Sequence, residues 1–143
     1  MNRRHDLLRA YHATDFIVRR PRLTIRVGRR CAMLDRLLTR VNVKEWAFVT
    51  AWNPGSRPLS RQANDARHRR LLRHLARWKR SKPDRARTWF AGVGRPRDGL
   101  WKPELSVLIL GISAVDARRL GARFGQVAIV AGTQGRAARL LLC

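Results

Sequence analysis

The chain has 143 residues, which suits one domain and would make a second one cramped. Lys and Arg total 32 against 9 Asp and Glu, so the formal net charge is +23; four of the basic residues are lysines and the other 28 are arginines. Hydrophobic residues make up 45% of the chain, which argues against disorder. This composition excludes an acidic solvating protein, a collagen and a disulfide scaffold.

The same survey predicts a cytoplasmic protein that neither enters nor binds a membrane. No stretch approaches the ~18 consecutive apolar residues of a membrane-spanning helix. The charged start of the chain lacks the apolar run of a signal peptide. Two cysteines, Cys31 and Cys143, cannot form a disulfide framework, and we expect both to be free thiols.

The first half of the chain predicts a short helix, a hairpin, a second helix and a buried strand. Leu7, Leu8 and Tyr11 indicate the short helix, inside a segment, residues 1–15, that we expect to be loosely ordered. Apolar periodicity and β-branched or aromatic runs then predict strands Phe16–Arg19 and Leu23–Val27, helix Ala32–Val41 and strand Trp46–Trp52.

The second half opens with the longest predicted helix, Ser60–Arg80, which Ser60 can cap and Pro83 follows. A Gly/Pro/Asp turn is expected at Gly94–Gly99. The other predicted elements are strand Thr88–Val93, a central apolar strand Leu105–Leu110, a helix from Ser113 to Phe124, and a closing hairpin of Gln126–Ala131 and Ala137–Leu142. The sum is a single α+β domain over residues 1–143, with helices packed on one mixed or mainly antiparallel sheet.

A helical wheel places polar side chains on the inward face of the longest helix. Ser60, Asn64 and Arg67 share one stripe with the apolar Leu71 and Leu75, so they point toward the sheet or a cleft beside it. Adding polar residues near the strand ends gives a candidate polar cleft of Asn53, Ser56, Ser60, Asn64, Arg67, Glu104 and Gln126.

Two interpretations of these residues stay open. In the first, Arg67 pairs with Glu104 or caps strand-end carbonyls, and Asn64 bonds the 53–56 loop, because buried polar groups need partners. In the second, the same groups line a pocket for an anion or small molecule, with Glu104 as a general base.

The opposite face of this helix carries a basic stripe. Its members are Arg69, Arg70, Arg73, Arg77 and Arg80. Guanidinium groups match phosphate oxygens, and a basic stripe along a helix is typical of nucleic-acid binding. The alternative is a solvated face in a chain that is rich in arginine throughout.

One combination of motifs resembles a known family. It consists of Thr50–Pro54 (TAWNP), then Ser56, Ser60, Asn64 and Arg67, followed by Glu104–Ser106, Gly111–Ser113 and Phe124–Gln126. Together with Ile25–Gly28 this pattern resembles the bacterial domain-of-unknown-function 3293 family, from about Tyr11 to Leu142. Val127 stands where that family's pattern has Asn. The resemblance implies a small α/β domain and no assigned activity.

The sequence therefore supports three functional hypotheses. The first is binding of nucleic acid, RNA or ribonucleoprotein, through arginine–phosphate contacts. The second is an enzyme or small-ligand binder at the polar cleft, with catalytic residues unknown, and the third is an interaction module for an acidic protein. No dinucleotide, Walker or zinc motif is complete, so we expect no cofactor and no metal. The sequence leaves the oligomeric state open.

Overall fold

Helices and strands alternate along residues 3–99 and 101–143, the part of the chain that the computed structural model describes. The helices are α1 (Arg3–His12), α2 (Ala32–Val41), α3 (Arg61–Ser81) and α4 (Ala114–Arg123). The strands are β1 (Thr14–Val18), β2 (Leu23–Ile25), β3 (Glu45–Thr50), β4 (Thr88–Pro96), β5 (Glu104–Leu110), β6 (Ala128–Thr133) and β7 (Arg139–Leu142). Within the 1–15 segment, α1 and the start of β1 are formed, and residues 1 and 2 lie outside the described residues.

All seven strands join one antiparallel sheet in the order β2-β1-β4-β5-β3-β6-β7. The apolar strand β5 lies at the middle of this order, which confirms its predicted central place. The sheet curls, and an isolated parallel bridge joins Val27, after β2, to Ala138, before β7. The fold is therefore the predicted α+β class.

The two faces of the sheet carry separate hydrophobic clusters. Alternation along β5 sends Leu108 and Leu110 into the cluster beneath α2, and Val107 and Ile109 into the cluster beneath α3 and α4. Leu71 and Leu75 of α3 are fully buried in the second cluster, as the wheel predicted. Burial of these two leucines fixes the orientation of α3, so the face of the helix away from them points outward.

Several predicted boundaries shift by a few residues for local reasons. β3 ends at Thr50 rather than Trp52, because the Thr50 hydroxyl accepts the Trp52 N–H at 3.1 Å and turns the chain. β4 continues to Pro96 through part of the predicted turn, since it pairs with β1 and β5 on its two sides. Gly92 belongs in this strand because the Phe48 ring occupies the place of a side chain there.

The predicted capping residues are confirmed. The Ser60 hydroxyl accepts the Ala63 N–H at 3.1 Å and caps the start of α3, and the Ser113 hydroxyl accepts the Asp116 N–H at 3.1 Å and caps the start of α4.

Within residues 3–99 and 101–143, no helix combines the length and the apolar character needed to cross a bilayer.

Candidate functional site

A polar cluster forms where β3 ends and α3 begins. Asn53 and Asn64 bond each other twice: the Asn53 N–H donates to Asn64 Oδ1 at 2.9 Å, and Asn64 Nδ2 donates to Asn53 Oδ1 at 2.8 Å. Asn53 Nδ2 also donates to Glu104 Oε1 at 2.8 Å. Asn53 has a left-handed backbone (φ 48°), which Asn tolerates better than most residues. The three side chains therefore form one network that holds the loop after β3.

Arg67 connects the end of β3 to the end of α4. Its Nε donates to the Ala51 carbonyl at 2.7 Å, and its Nη2 donates to the Phe124 carbonyl at the end of α4. Burial, and the nearby Arg70, lower the pKa of the Arg67 guanidinium, which stays charged at any physiological pH. Arg67 thus ties β3, α3 and α4 together through backbone oxygens.

Gln126, in the loop that follows α4, joins the same cluster. Its Nε2 donates to the Trp52 carbonyl at 2.9 Å. Between Phe124 and Gln126 stands Gly125, which has a positive φ of 72°. A side chain at Gly125 would meet Pro54, and the Gly125 carbonyl accepts the Gly55 N–H at 2.7 Å. The loop after β3 and the end of α4 consequently pack directly against each other.

The structure brings together five of the seven predicted cleft residues. The polar cluster consists of Asn53, Asn64, Arg67, Glu104 and Gln126. Ser60 serves as the cap of α3, and Ser56 is exposed with a left-handed backbone (φ 60°). The expected bond between Asn64 and the 53–56 loop is confirmed. Of the two partners expected for Arg67, the strand-end carbonyl is confirmed, since Arg67 donates to Ala51 just after β3. The ion pair with Glu104 is wrong, because Glu104 binds the Asn53 amide instead.

Glu104 is the one carboxylate of the polar cluster. Burial raises the pKa of this carboxyl above its usual value, and the hydrogen bond from Asn53 offsets part of that rise. A carboxyl with a raised folded-state pKa favours folding most at low pH, and this contribution is lost as pH rises through the folded-state pKa. Ionisation of Glu104 is therefore less favourable in the folded protein than in the unfolded chain.

Replacing that charge with an amide should stabilise the protein at neutral pH. Glu104→Gln keeps an oxygen acceptor for the Asn53 amide and removes the half-buried charge. We expect a higher urea midpoint than wild type at pH 7, and a difference that shrinks as pH falls and the wild-type carboxyl is protonated. The exposed Glu45→Gln is the control, and an equal rise in both variants would contradict this account.

A second feature lies beside the polar cluster, in the crevice between α3 and the end of α4. We call it the arginine groove, and its volume is about 260 Å³. It is lined by Arg67, Arg70, Arg73, His74, Arg77, Arg123 and Phe124. Among the residues that the structure describes, no carboxylate lines it. Five arginines therefore line one space without a compensating negative charge among the lining residues.

The groove divides the predicted basic stripe. Arg70, Arg73 and Arg77 line it, whereas Arg69 and Arg80 are exposed on another part of α3. Asn64 is 2% exposed and Arg67 is half-buried, so both are less exposed than Arg70 and Arg73, as the wheel required.

The site residues predicted from the sequence leave out three residues that line the groove, His74, Arg123 and Phe124. Arg70 was predicted on the face opposite Arg67, yet both line the groove, so that separation is wrong for Arg70. His74 falls between these two arginines on the helical wheel, a signal that the wheel contained. Arg123 and Phe124 come from α4, and nothing in the sequence shows that the end of α4 packs beside α3. Arg123 also stands in the last turn of α4, where a cation interacts favourably with the helix dipole.

His74 lies on the groove wall with its ring edge-on to Phe124, at a centroid distance of 6.3 Å. Burial lowers the pKa of His74, and the positive charges of Arg123 and Arg77 lower it further. Burial also lowers the pKa of His68 on the same helix. Both imidazoles are consequently neutral at pH 7.

Protonation of these two histidines should therefore destabilise the protein in mild acid, opposite in sign to the contribution of Glu104. The unfolded chain binds a proton at each histidine with a pKa of about 6.5, whereas the folded chain binds it more weakly. We expect the free energy of unfolding to be highest above that value and to fall as pH drops through the lower folded-state pKa values. His74→Gln should flatten this dependence in urea titrations, and the exposed His5→Gln is measured beside it as the control. An equal slope for His74→Gln and wild type would contradict the prediction.

The fold and the two neighbouring features define a basic α+β protein with an arginine-lined groove next to a hydrogen-bonded polar cluster. Residues 49–129 match the family described as Protein of unknown function (DUF3293), and since the match spans more than half of the chain, the protein belongs to this family. The matched span contains the polar cluster and every residue of the arginine groove, while β1 and β2 lie before it. Neither the curated proteins nor the solved structures contain a match.

Proposed function

We propose that the protein binds nucleic acid, RNA or ribonucleoprotein above all, through contacts between the arginine groove and backbone phosphates, and that it does so in the cytoplasm. The observation that carries this proposal is the convergence of Arg67, Arg70, Arg73, Arg77 and Arg123 on one groove without a carboxylate. Each guanidinium offers a planar set of donors that fits two phosphate oxygens at once.

The charge of the whole chain supports the same proposal. A net charge of +23 creates a positive field that attracts polyanions and speeds their encounter with the protein. Among the residues that line the groove, the exposed Arg70, Arg73, Arg77 and Arg123 can follow a phosphate backbone, since none of them is held by a described ion pair. Phe124, the phenyl ring in the groove wall, is 7% exposed and offers no open face to a base, so recognition should rest on phosphates rather than on base identity.

The polar cluster gives less support to the ligand-cleft hypothesis. The amides of Asn53 and Asn64 are occupied by each other, by Glu104 and by the Leu59 backbone, so they brace the loop beside the groove. An acidic protein partner remains the other class of polyanion, and a salt titration with matched probes separates it from nucleic acid.

The test is a fluorescence titration of single-stranded RNA, duplex DNA, heparin and a strongly acidic protein across a range of salt. Phosphate contacts predict a linear fall of log K with log salt, with a slope of about −0.9 per contact on duplex DNA and −0.7 on a single strand. Tighter binding of the acidic protein than of RNA at equal salt, or a slope near zero on RNA, would contradict the proposal.

A further inference from the structure

Arg67 differs from the other arginines of the groove because its guanidinium is held in place. Two of its five N–H donors are engaged by the carbonyls of Ala51 and Phe124. Among the described residues Arg67 has no further hydrogen-bond partner, and the side chain lines the groove. The donors that remain form a fixed cationic fork, and a preorganised fork loses less entropy when it binds an anion.

The density of positive charge in the groove exceeds what one backbone phosphate would neutralise. The groove has a volume of about 260 Å³. Five guanidiniums border this space, and a phosphodiester brings a single negative charge to it. A terminal phosphate monoester carries about −1.5 to −2 at pH 7 and offers an additional oxygen. A chain of phosphates concentrates more charge in the same volume.

The walls of the groove favour phosphate over a nucleobase. The aromatic ring at the end of α4, that of Phe124, is 7% exposed and packs in the core, so it offers no face on which a base could stack. The volume also lies below the usual range of pockets that enclose a whole small-molecule ligand. The space suits compact, highly charged groups.

From this geometry we propose that the arginine groove is a subsite for terminal or chained phosphates, such as the 5′-phosphorylated end of an RNA strand or a free oligophosphate, with Arg67 at its fixed end. This inference rests on the proposed function, because it names which part of a nucleic acid the same groove takes. Arg70, Arg73, Arg77 and Arg123 are like charges on the walls of one groove without a carboxylate, and a multiply charged phosphate offsets their mutual repulsion.

The test compares one short uridine RNA bearing a 5′-hydroxyl, a 5′-monophosphate or a 5′-triphosphate, with tripolyphosphate alone as a fourth probe. We expect the triphosphate RNA to bind about tenfold more tightly than the hydroxyl RNA, with the monophosphate between them. The control is a longer RNA with a 5′-hydroxyl, in which a few extra nucleotides carry the same additional negative charge as the triphosphate but as backbone phosphodiesters. Equal affinity for this strand and for the triphosphate RNA would overturn the inference.

Paired variants locate the effect. Arg70→Ala with Arg123→Ala removes two exposed groove arginines and should abolish the preference for the triphosphate end. Arg69→Ala with Arg80→Ala removes the same charge outside the groove and should keep that preference. Loss of the preference in both pairs would show a general charge effect and would also overturn the inference.

The outcomes separate this inference from the proposed function. If hydroxyl RNA binds with a steep salt dependence and the 5′ end makes no difference, the inference fails and nucleic-acid binding stands. If tripolyphosphate binds and the groove variants abolish that binding, while hydroxyl RNA does not bind at all, the phosphate subsite stands and the proposed function fails.

Discussion

Arg67→Ala should lower the free energy of unfolding by about 3 kcal/mol, because hydrogen bonds from a charged donor contribute about 1.5–3 kcal/mol each and two are lost. The Ala51 and Phe124 carbonyls lose the donor that joins β3 to the end of α4. For a chain of this length, such a loss corresponds to a drop in Tm of roughly 10 °C. Urea unfolding followed by circular dichroism measures it directly.

Two variants control this prediction. Arg70→Ala removes an exposed arginine one helical turn further along α3 and should change stability by less than ~0.5 kcal/mol. Arg67→Lys keeps the charge but not the planar fork that reaches both carbonyls, so it should recover only part of the loss. Wild-type stability in Arg67→Ala would mean that these two bonds do not brace the fold.

Replacing Arg70, Arg73 and Arg77 together with alanine should weaken nucleic-acid binding by roughly 10²–10³-fold at 0.1 M salt, because each lost phosphate contact removes close to one log unit there. All three side chains are exposed, so the fold should stay intact. A triple variant of Arg61, Arg69 and Arg80 to alanine carries the same change in net charge outside the groove and should lose much less affinity. Equal losses of affinity in the two triple variants would show that the groove arginines have no special part in nucleic-acid binding.

The sequence was informative wherever local chemistry decides the structure. Ser60 and Ser113 cap helices because each is an extended residue just before a helix, and its hydroxyl accepts a backbone N–H that has no partner within the helix. A serine at such a place can be recognised from the sequence alone. The apolar run of β5 identified a strand buried on both faces. The inward placement of Asn64 and Arg67 followed from the helical period alone.

The sequence could suggest partners for the polar side chains, such as the 53–56 loop for Asn64, but it could not choose between the alternatives for Arg67, because that choice depends on elements far apart in sequence. Glu104 and Arg67 were natural candidates for an ion pair, yet the Asn53 amide reaches Glu104 and two backbone carbonyls reach Arg67. Arg123 joins the groove only because α4 packs beside α3. Helix packing of this kind is set by the shapes of buried side chains, which a charge pattern does not record.

The salt dependence of RNA binding, measured on wild type and on the variant with Arg70, Arg73 and Arg77 replaced by alanine, tests the central claim most directly. If these arginines contact phosphates, the variant's log–log slope should be shallower than that of wild type by about 2, since each contact contributes about 0.7 on a single strand. The same slope in both proteins, whatever their affinities, would show that the arginine groove does not bind the nucleic-acid backbone.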